Sequence, residues 1–130
     1  MAISTICDMV PLLGENRIFV KYGQIVLGKT RRSGLKILIQ KSRINKNNIS
    51  TDDIGFMIGP RINAASRLEC PNIALNTLIE NNGFGEEQAL NLEKINNKRK
   101  ALVAKIMKEV WLKLKKRGKL KNIIVIGNKD

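Results

Sequence analysis

Residues 54–68 read IGFMIGPRINAASRL, and this stretch decides how we interpret the rest of the chain. Pro60 follows a glycine, which predicts the first turn of a helix, where a missing backbone N–H leaves nothing unpaired. Residues 63–66 (NAAS), between Arg61 and Arg67, have small side chains, so little bulk would stand between the helix backbone and a ligand. The two guanidinium groups, with Asn63 between them, are suited to gripping phosphate. An ordinary packed helix with solvated arginines is the alternative that local chemistry leaves open.

The segment before this stretch supplies the start of the predicted helix. Residues 43–53 read RINKNNISTDD, a polar, turn-rich tract in which Ser50 or Thr51 is suited to cap a helix N-terminus. Asp52 and Asp53 would then lie in the first turn, where the helix dipole favours carboxylates. We therefore interpret both aspartates as structural and not as catalytic groups.

A single carboxylate near the start of the chain is the first candidate for chemistry. Residues 2–13 read AISTICDMVPLL, and Asp8 lies in this otherwise apolar segment just before Pro11 interrupts local structure. An acid in such a setting needs a partner, either a hydrogen-bond donor near a turn or a hard divalent cation. Both interpretations stay open on the residues alone.

Apolar periodicity predicts short helices through much of the chain. The spacing over residues 15–28 predicts a core helix, and a shorter helix follows that ends near Ser42. Between them, residues 29–34 (KTRRSG) form a basic loop that is either solvated surface or a contact for a phosphate backbone. Another amphipathic helix would start just past Pro71. The residues assigned to the core face of the first helix are Ile18, Phe19, Tyr22, Ile25 and Val26.

The sequence pattern of residues 86–127 predicts one long helix followed by a strand. Residues 86–117 contain no Gly or Pro and carry a near-continuous apolar seam. At 1.5 Å per residue this helix would be about 45–50 Å long. Gly118 would end it. Residues 122–127 (NIIVIG) then predict a buried strand, which would need a neighbour to pair its backbone groups.

The overall charge indicates the class of partner. The 130 residues include 24 Lys and Arg against 11 Asp and Glu, for a net charge of +13. This excess favours a polyanion, nucleic acid first, while an aromatic content of 4% is too low for a base-stacking surface. Contact with the phosphate backbone is therefore the expected mode of binding.

Composition also excludes several classes of site. Histidine is absent, which excludes Ser-His-Asp triads and His-containing metal sites built from this chain alone. Cys7 and Cys70 are isolated, which argues against zinc or a disulfide framework and suits a reducing compartment. No apolar run is long enough to span a bilayer, and the first residues lack a basic leader. We therefore expect a cytoplasmic protein with no membrane partner.

Three motifs follow one another along the chain: DMVPLLGENR at 8–17, IGFMIGPRINAASRL at 54–68, and a long helix with NLEKINNKR at 91–99 that leads into IIVIG. Their order and spacing resemble the middle of the RecJ exonucleases, which act on single-stranded DNA and belong to the DHH phosphoesterase family. The resemblance covers nearly the whole chain.

The resemblance implies a mainly α chain made of three parts. Residues 1–85 would be the end of a DHH-type α/β catalytic domain with the helical region that follows it. Residues 86–118 would be the long connector helix. Residues 119–130 would begin a truncated, DHH-associated second α/β domain with its first strand.

The resemblance also implies roles for individual residues. The aspartate of the DMVPL motif is a metal ligand in the family, so Asp8 is expected to bind Mn²⁺ or Mg²⁺. Arg61, Asn63 and Arg67 are expected to hold DNA phosphate or to order the substrate cleft.

The chain departs from the family's pattern in two residues and in what it lacks. Ser66 replaces a Gly that would permit close backbone approach, and Cys7 replaces a small residue such as Ala. The family's earlier aspartates, its DHH motif and the substrate-binding motif of the second domain are all absent. Metal-assisted hydrolysis needs a cluster of ligands, so no catalytic set is complete in this chain.

We therefore expect a fragment of a RecJ-like, metal-dependent 5′-to-3′ single-stranded-DNA exonuclease of recombination and repair, inactive alone. A complementing polypeptide that carries the missing motifs could restore activity. Two alternatives stay open: a stand-alone basic helical module that binds nucleic acid without cleaving it, and a degenerate remnant of a split gene.

Overall fold

The computed structural model of the chain describes residues 1–116 and 123–127, and it confirms the mainly α prediction. Within these residues there are six α-helices and no strand. The chain divides into two compact units, Met1–Asn97 and Lys98–Asp130, which we describe separately. The helices are α1 (Ala2–Cys7), α2 (Gly14–Gly28), α3 (Ser33–Lys41), α4 (Gly59–Leu68), α5 (Pro71–Ile79) and α6 (Gly83–Lys115), with a π-helical segment, Asp53–Ile58, directly before α4.

The core of the first unit is built from the apolar sides of these helices. Leu38 of α3, Ile54 and Ile58 of the π-helical segment, and Leu92 of α6 are fully buried. Burying one such side chain stabilises the fold by about 1.5–3 kcal/mol. The whole buried cluster comprises Leu27, Leu35, Leu38, Ile39, Ile44, Ile49, Ile54, Ile58, Ala65, Ala74 and Leu92.

Helix α2 forms where the sequence predicts it, but the predicted core face is wrong. Ile18, Tyr22 and Val26 are 56%, 59% and 67% exposed. Val20 and Leu27, on the opposite side of the helix, are buried instead. We call the exposed apolar set the outer face of α2. It consists of Ile18, Phe19, Tyr22, Ile25 and Val26.

The choice of core face in α2 follows from a close contact with α1. A Cβ atom placed on Gly23 would lie 2.2 Å from the Cβ of Ala2, so the two helices meet where α2 has no side chain. A helix with apolar residues on both sides can turn either side inward, and the side that permits the closer approach gains more packing. The glycine, and not the larger apolar stripe, therefore marks the inward side.

The central stretch forms one continuous helical run that begins at a reciprocal cap. The Asp53 N–H donates to Ser50 Oγ (3.0 Å), and the Ser50 N–H donates to Asp53 Oδ2 (2.8 Å). These bonds confirm Ser50 as the cap and Asp53 as a structural group. Pro60 lies in the first turn of α4, as predicted. The π-helical segment changes the hydrogen-bond pattern just where proline has no N–H to donate.

Gly34 allows α3 to approach α5 and α6. It is the second residue of α3, and a Cβ there would lie 2.2 Å from the carbonyl oxygen of Thr77 and 2.8 Å from that of Gly85. Both oxygens belong to the backbone, so neither can rotate away. Glycine is thus required for these three helices to pack as they do.

Helix α6 confirms the predicted long helix, although it starts three residues earlier than Glu86. The Asn82 side chain accepts a hydrogen bond from the Gly85 N–H (3.2 Å), which satisfies an amide that the first turn leaves unpaired. The predicted end at Gly118 lies outside the described residues. No helix in the described ranges is both long and apolar enough to cross a membrane.

The strand predicted over residues 122–127 is not formed. Residues 123–127 have no regular structure, and Ile123 and Val125 are 81% and 85% exposed, while residue 122 lies outside the described residues. A strand needs a second strand to pair its backbone groups, and the described part of the chain holds none. The predicted boundaries at residues 85 and 118 stay predictions.

Candidate functional site

Asp8 lies at the C-terminal end of α1, in a turn that fixes its position. The Val10 N–H donates to the Thr5 carbonyl (3.2 Å) and the Met9 N–H to the Ile6 carbonyl (3.1 Å), the two bonds of a Schellman motif. Met9 takes the left-handed conformation, with φ of +53°, at the position that glycine usually fills. Asp8 is therefore the C-cap residue, and its side chain is exposed.

A pocket of about 610 Å³ opens beside Asp8. Asp8 and Asn63 both line it, so the fold brings together two of the residues that the sequence singles out. Ser4, Thr30 and Arg32 add further polar side chains to the lining. A carboxylate, an amide and a guanidinium in one concave surface suit a ligand that combines a cation with a phosphate.

Cys7 packs between Asp8 and the start of α4. A Cβ placed on Gly59 would lie 2.6 Å from Cys7 Sγ and 3.3 Å from the carbonyl oxygen of Ile54. Burial raises the pKa of the Cys7 thiol, and the Asp8 carboxylate raises that pKa further. The raised pKa disfavours the thiolate that nucleophilic attack requires, and the thiol packs where α4 begins at Gly59.

Arg61 does not face the pocket, because its guanidinium is buried in an ion pair. The residue is 5% exposed. Its Nη2 donates to Glu93 Oε1 (3.3 Å), its Nε to Glu93 Oε2, and its Nη1 to the Met57 carbonyl (2.6 Å). A guanidinium already occupied by a carboxylate is not available to a phosphate. Of the two roles that the resemblance implies for Arg61, the geometry favours ordering the cleft.

Arg67 is placed differently from Arg61. Asn63 and Arg67 lie four residues apart on α4, and therefore on one face of it, and both are exposed. Asn63 lines the pocket, whereas Arg67 does not. The structure thus separates the three predicted nucleic-acid contacts into one buried arginine and two residues on an accessible face.

Glu93 is a structural residue of the site to which the sequence assigns no role. It is the only acidic residue between Glu87 and Glu109, in a stretch of α6 whose other charged residues are all basic. This isolation is the feature of the sequence that could have indicated a structural role for Glu93, since a lone carboxylate beside buried apolar residues needs a cationic partner. Its partner, Arg61, could not be identified without the fold.

The basic loop before α3 makes bonds that hold the first unit together. Arg32 Nη1 donates to the Leu78 carbonyl (2.5 Å), and Ser33 Oγ donates to the Asn82 carbonyl (2.7 Å). These bonds connect the start of α3 to the C-terminal end of α5 and to the loop between α5 and α6. Arg32 therefore has a structural contact in addition to its place in the pocket lining.

The described residues do not form a complete metal site. Asp8 is the only carboxylate in the lining of the pocket. In residues 1–116 and 123–127, no three His, Cys, Asp or Glu side chains are grouped so that they could hold a cation. Mg²⁺ and related ions take about six oxygen ligands, and a single carboxylate offers at most two of these. The other ligands would have to come from elsewhere.

The fold of this chain matches part of several solved exonuclease structures that contain Mg²⁺ or Mn²⁺. The exonucleases are RecJ proteins. The chain matches the Mg²⁺ complex of Thermus thermophilus RecJ with a TM-score of 0.75 and 30% identity, over 83% of this chain and 17% of that one. The match to a manganese-bound exonuclease RecJ has the same TM-score and identity and covers 28% of that chain.

Sequence comparison gives the same result. The chain is 34% identical to RecJ of Bacillus subtilis over 127 residues, which is 97% of this chain and 16% of that protein. It is 36% identical to RecJ of Haemophilus influenzae over 106 residues, 80% of this chain and 18% of that protein. Each of these relatives is described as a single-stranded-DNA-specific exonuclease. No protein-family profile matches the chain.

The resemblance drawn from the motifs is therefore confirmed, because this chain matches one region of RecJ in both sequence and fold. The chain spans about a sixth of the length of the RecJ relatives it matches, 16% of the Bacillus subtilis protein and 18% of the Haemophilus influenzae protein.

Proposed function

We propose that this chain is part of a RecJ-like, metal-dependent 5′-to-3′ single-stranded-DNA exonuclease of recombination and repair, and that it is inactive alone. The observation that carries the proposal is the placement of Asp8. Its exposed carboxylate is held by a Schellman turn at the edge of a pocket that Asn63 also lines. The match to RecJ supplies the class of reaction, and the incomplete ligand set supports inactivity of the isolated chain.

Each residue of the site has a different role in the proposed function. Asp8 contributes one carboxylate ligand to a Mn²⁺ or Mg²⁺ ion. Asn63 and Arg67, on the accessible face of α4, contact the phosphates of single-stranded DNA. Arg61 fixes that face by pairing with Glu93.

A complementing polypeptide would supply the missing ligands. The exposed apolar surface of the chain supports such a partner, because monomeric proteins rarely expose large contiguous apolar patches. The outer face of α2 is one such surface. In the second unit, α6 exposes further large apolar side chains: Leu102, Val103, Met107, Trp111 and Leu112.

A chimera tests the proposal directly. The matching region of Bacillus subtilis RecJ is replaced by this chain, and release of nucleotides from the 5′ end of single-stranded DNA is measured with Mn²⁺. We expect the isolated chain to be inactive and the chimera to be active. Asp8→Asn should reduce the activity of the chimera more than about 100-fold, because it removes a ligand charge. The matched control is Asp52→Asn, which neutralises another exposed aspartate and should leave activity unchanged.

Two results would contradict the proposal. One is Mn²⁺-dependent nuclease activity of the isolated 130-residue chain that Asp8→Asn abolishes. The other is a chimera that keeps full activity after Asp8→Asn. Mn²⁺ binding measured by calorimetry on the chimera and on its Asp8→Asn variant detects loss of the metal, and far-UV circular dichroism of the same two proteins detects loss of the fold.

The second candidate function is a stand-alone module that binds nucleic acid, which the net charge of +13 favours. The buried ion pair of Arg61 changes what this hypothesis predicts. Binding should be insensitive to Arg61 and should depend on exposed cations.

A further inference from the structure

Nine of the 12 Lys and Arg residues of the first unit, Met1–Asn97, lie in one acid-free stretch. Residues 16–51 contain nine of the 24 Lys and Arg residues and no Asp or Glu. This stretch folds as α2, the loop after it, α3 and the loop that follows α3. The positive charge is therefore gathered on one part of the first unit, where no carboxylate of the same stretch compensates it.

Two adjoining depressions in this part of the molecule are lined by lysines. One, of about 580 Å³, is lined by Lys29, Lys36 and Lys46. The other, of about 380 Å³, shares Lys29 and Lys46 with it and adds Lys21. Neither lining includes an acidic residue. We call these four residues the lysine surface. The helix dipole of α2 accounts for a cation at Lys29, but not for Lys36 and Lys46, which lie on other elements.

The loop that carries Lys46 begins at a well-defined helix end. Arg43 takes the left-handed conformation, with φ of +57°. The Ile44 N–H donates to the Ile39 carbonyl (3.2 Å) and the Arg43 N–H to the Gln40 carbonyl (2.9 Å), which completes a Schellman motif. Ile44 and Ile39 are both buried in the core, so the start of the loop is anchored by packing as well as by hydrogen bonds.

The same loop is held against α2. Gln24 Nε2 donates to the Ile49 carbonyl (2.9 Å), and a Cβ on Gly28 would lie 2.2 Å from the Lys46 carbonyl oxygen. The backbone at Lys46 therefore touches the end of α2, at the point where the two depressions meet. The lysine surface is a fixed platform that carries several positive charges from three elements.

The ligand that fits this surface is a phosphodiester backbone. Lys29, Lys36 and Lys46 are exposed and form no ion pair within the described residues. Gln40 and Asn47 add neutral amide donors to the linings. The lining side chains include no aromatic ring for base stacking. We propose that the lysine surface binds the sugar-phosphate backbone of single-stranded nucleic acid without regard to sequence. None of its four lysines lines the Asp8 pocket, but Thr30 lines both that pocket and the larger depression, so the two sites adjoin.

Fluorescence anisotropy with a labelled oligothymidine of about 20 nucleotides tests the proposal on the complete chain, with EDTA present so that no metal site contributes. Four lysine contacts predict a slope of about −3 for log affinity against log salt. Lys29→Gln/Lys46→Gln should weaken binding about tenfold or more near 50 mM KCl and reduce the steepness of the slope by about 1.4. An abasic oligomer of the same length should bind within about twofold of the oligothymidine.

The matched control is Lys105→Gln/Lys108→Gln, which removes the same charge from exposed positions of α6. This variant should change the affinity less than about twofold. Equal losses in the two variants would attribute binding to net charge and overturn the proposal, as would failure of the abasic probe to bind. Circular dichroism verifies folding, and Lys21→Gln/Lys36→Gln gives an independent second test of the same surface. Because this assay needs no nuclease activity, its failure is distinct from failure of the exonuclease proposal.

Discussion

Replacing Arg61 by methionine tests whether the buried ion pair holds α4 against α6. The change removes a side chain that is 6% exposed and leaves the Glu93 carboxylate, 21% exposed, without its partner. Removing one member of a buried pair lowers stability by about 3–5 kcal/mol, but partial exposure lets water take over some of the lost bonds of Glu93. We therefore expect Arg61→Met to lower the free energy of unfolding by about 2–4 kcal/mol.

The reciprocal change should be more harmful. Glu93→Leu removes the carboxylate that pairs with the buried Arg61 guanidinium and leaves the hydrogen bond from Arg61 to the Met57 carbonyl. This change should lower the free energy of unfolding by about 3–5 kcal/mol. The double variant Arg61→Met/Glu93→Leu removes both charges. Because an apolar pair of similar volume often replaces a buried ion pair without loss, the double variant should lie within about 1 kcal/mol of the unsubstituted chain.

Urea unfolding followed by far-UV circular dichroism measures all four proteins, and equal m-values would show that the unfolded states are comparable. The expected coupling energy is about 4 kcal/mol or more in favour of the double variant. A double variant as unstable as the sum of the single changes would refute this account of the pair. So would an Arg61→Met protein within about 0.5 kcal/mol of the unsubstituted chain. Folded Arg61→Met protein should also keep its affinity for single-stranded DNA.

Further predictions concern the backbone and use the same urea titration. Gly34→Ala should lower the free energy of unfolding by about 2–3 kcal/mol, because the new methyl group would meet two backbone oxygens that cannot move aside. Gly83→Ala, with open space around it, should change this energy by less than about 0.5 kcal/mol, and equal effects of the two changes would contradict the close-contact argument. Met9→Gly should raise the free energy of unfolding by about 1 kcal/mol by relieving a left-handed residue, and a decrease would show that this turn is not strained.

Local features of the fold were predictable from the sequence because their causes are local. Helical periodicity gave α2, α3 and α6, and the side-chain chemistry of Ser50 gave the cap of the central run. The Schellman turn after α1 was not predictable, because the left-handed position there is occupied by Met9 and not by glycine. Structural features that depend only on neighbouring residues were thus predictable, except for the turn in which Met9 takes the left-handed position.

The pairing of distant residues was not predictable. Arg61 and Glu93 lie on different helices, and the sequence alone could not say that one guanidinium of the central stretch is buried while Arg67 is exposed. The failure on α2 has the same origin, since the inward side was decided by the contact of Gly23 with another helix. For Asp8, the sequence supplied the residue and the resemblance supplied its proposed role, but only the fold places it beside Asn63.

A protein that binds the outer face of α2 would control how much of this chain accumulates in the cell. An uncovered apolar helix face is a substrate for chaperones and proteases, which act on exposed hydrophobic surface. A protein that binds only the folded chain, at 100 times its dissociation constant, would add about 2.7 kcal/mol to its stability. The chain would then accumulate when that protein is present and be cleared when it is scarce, so the two would stay in proportion without any control of transcription.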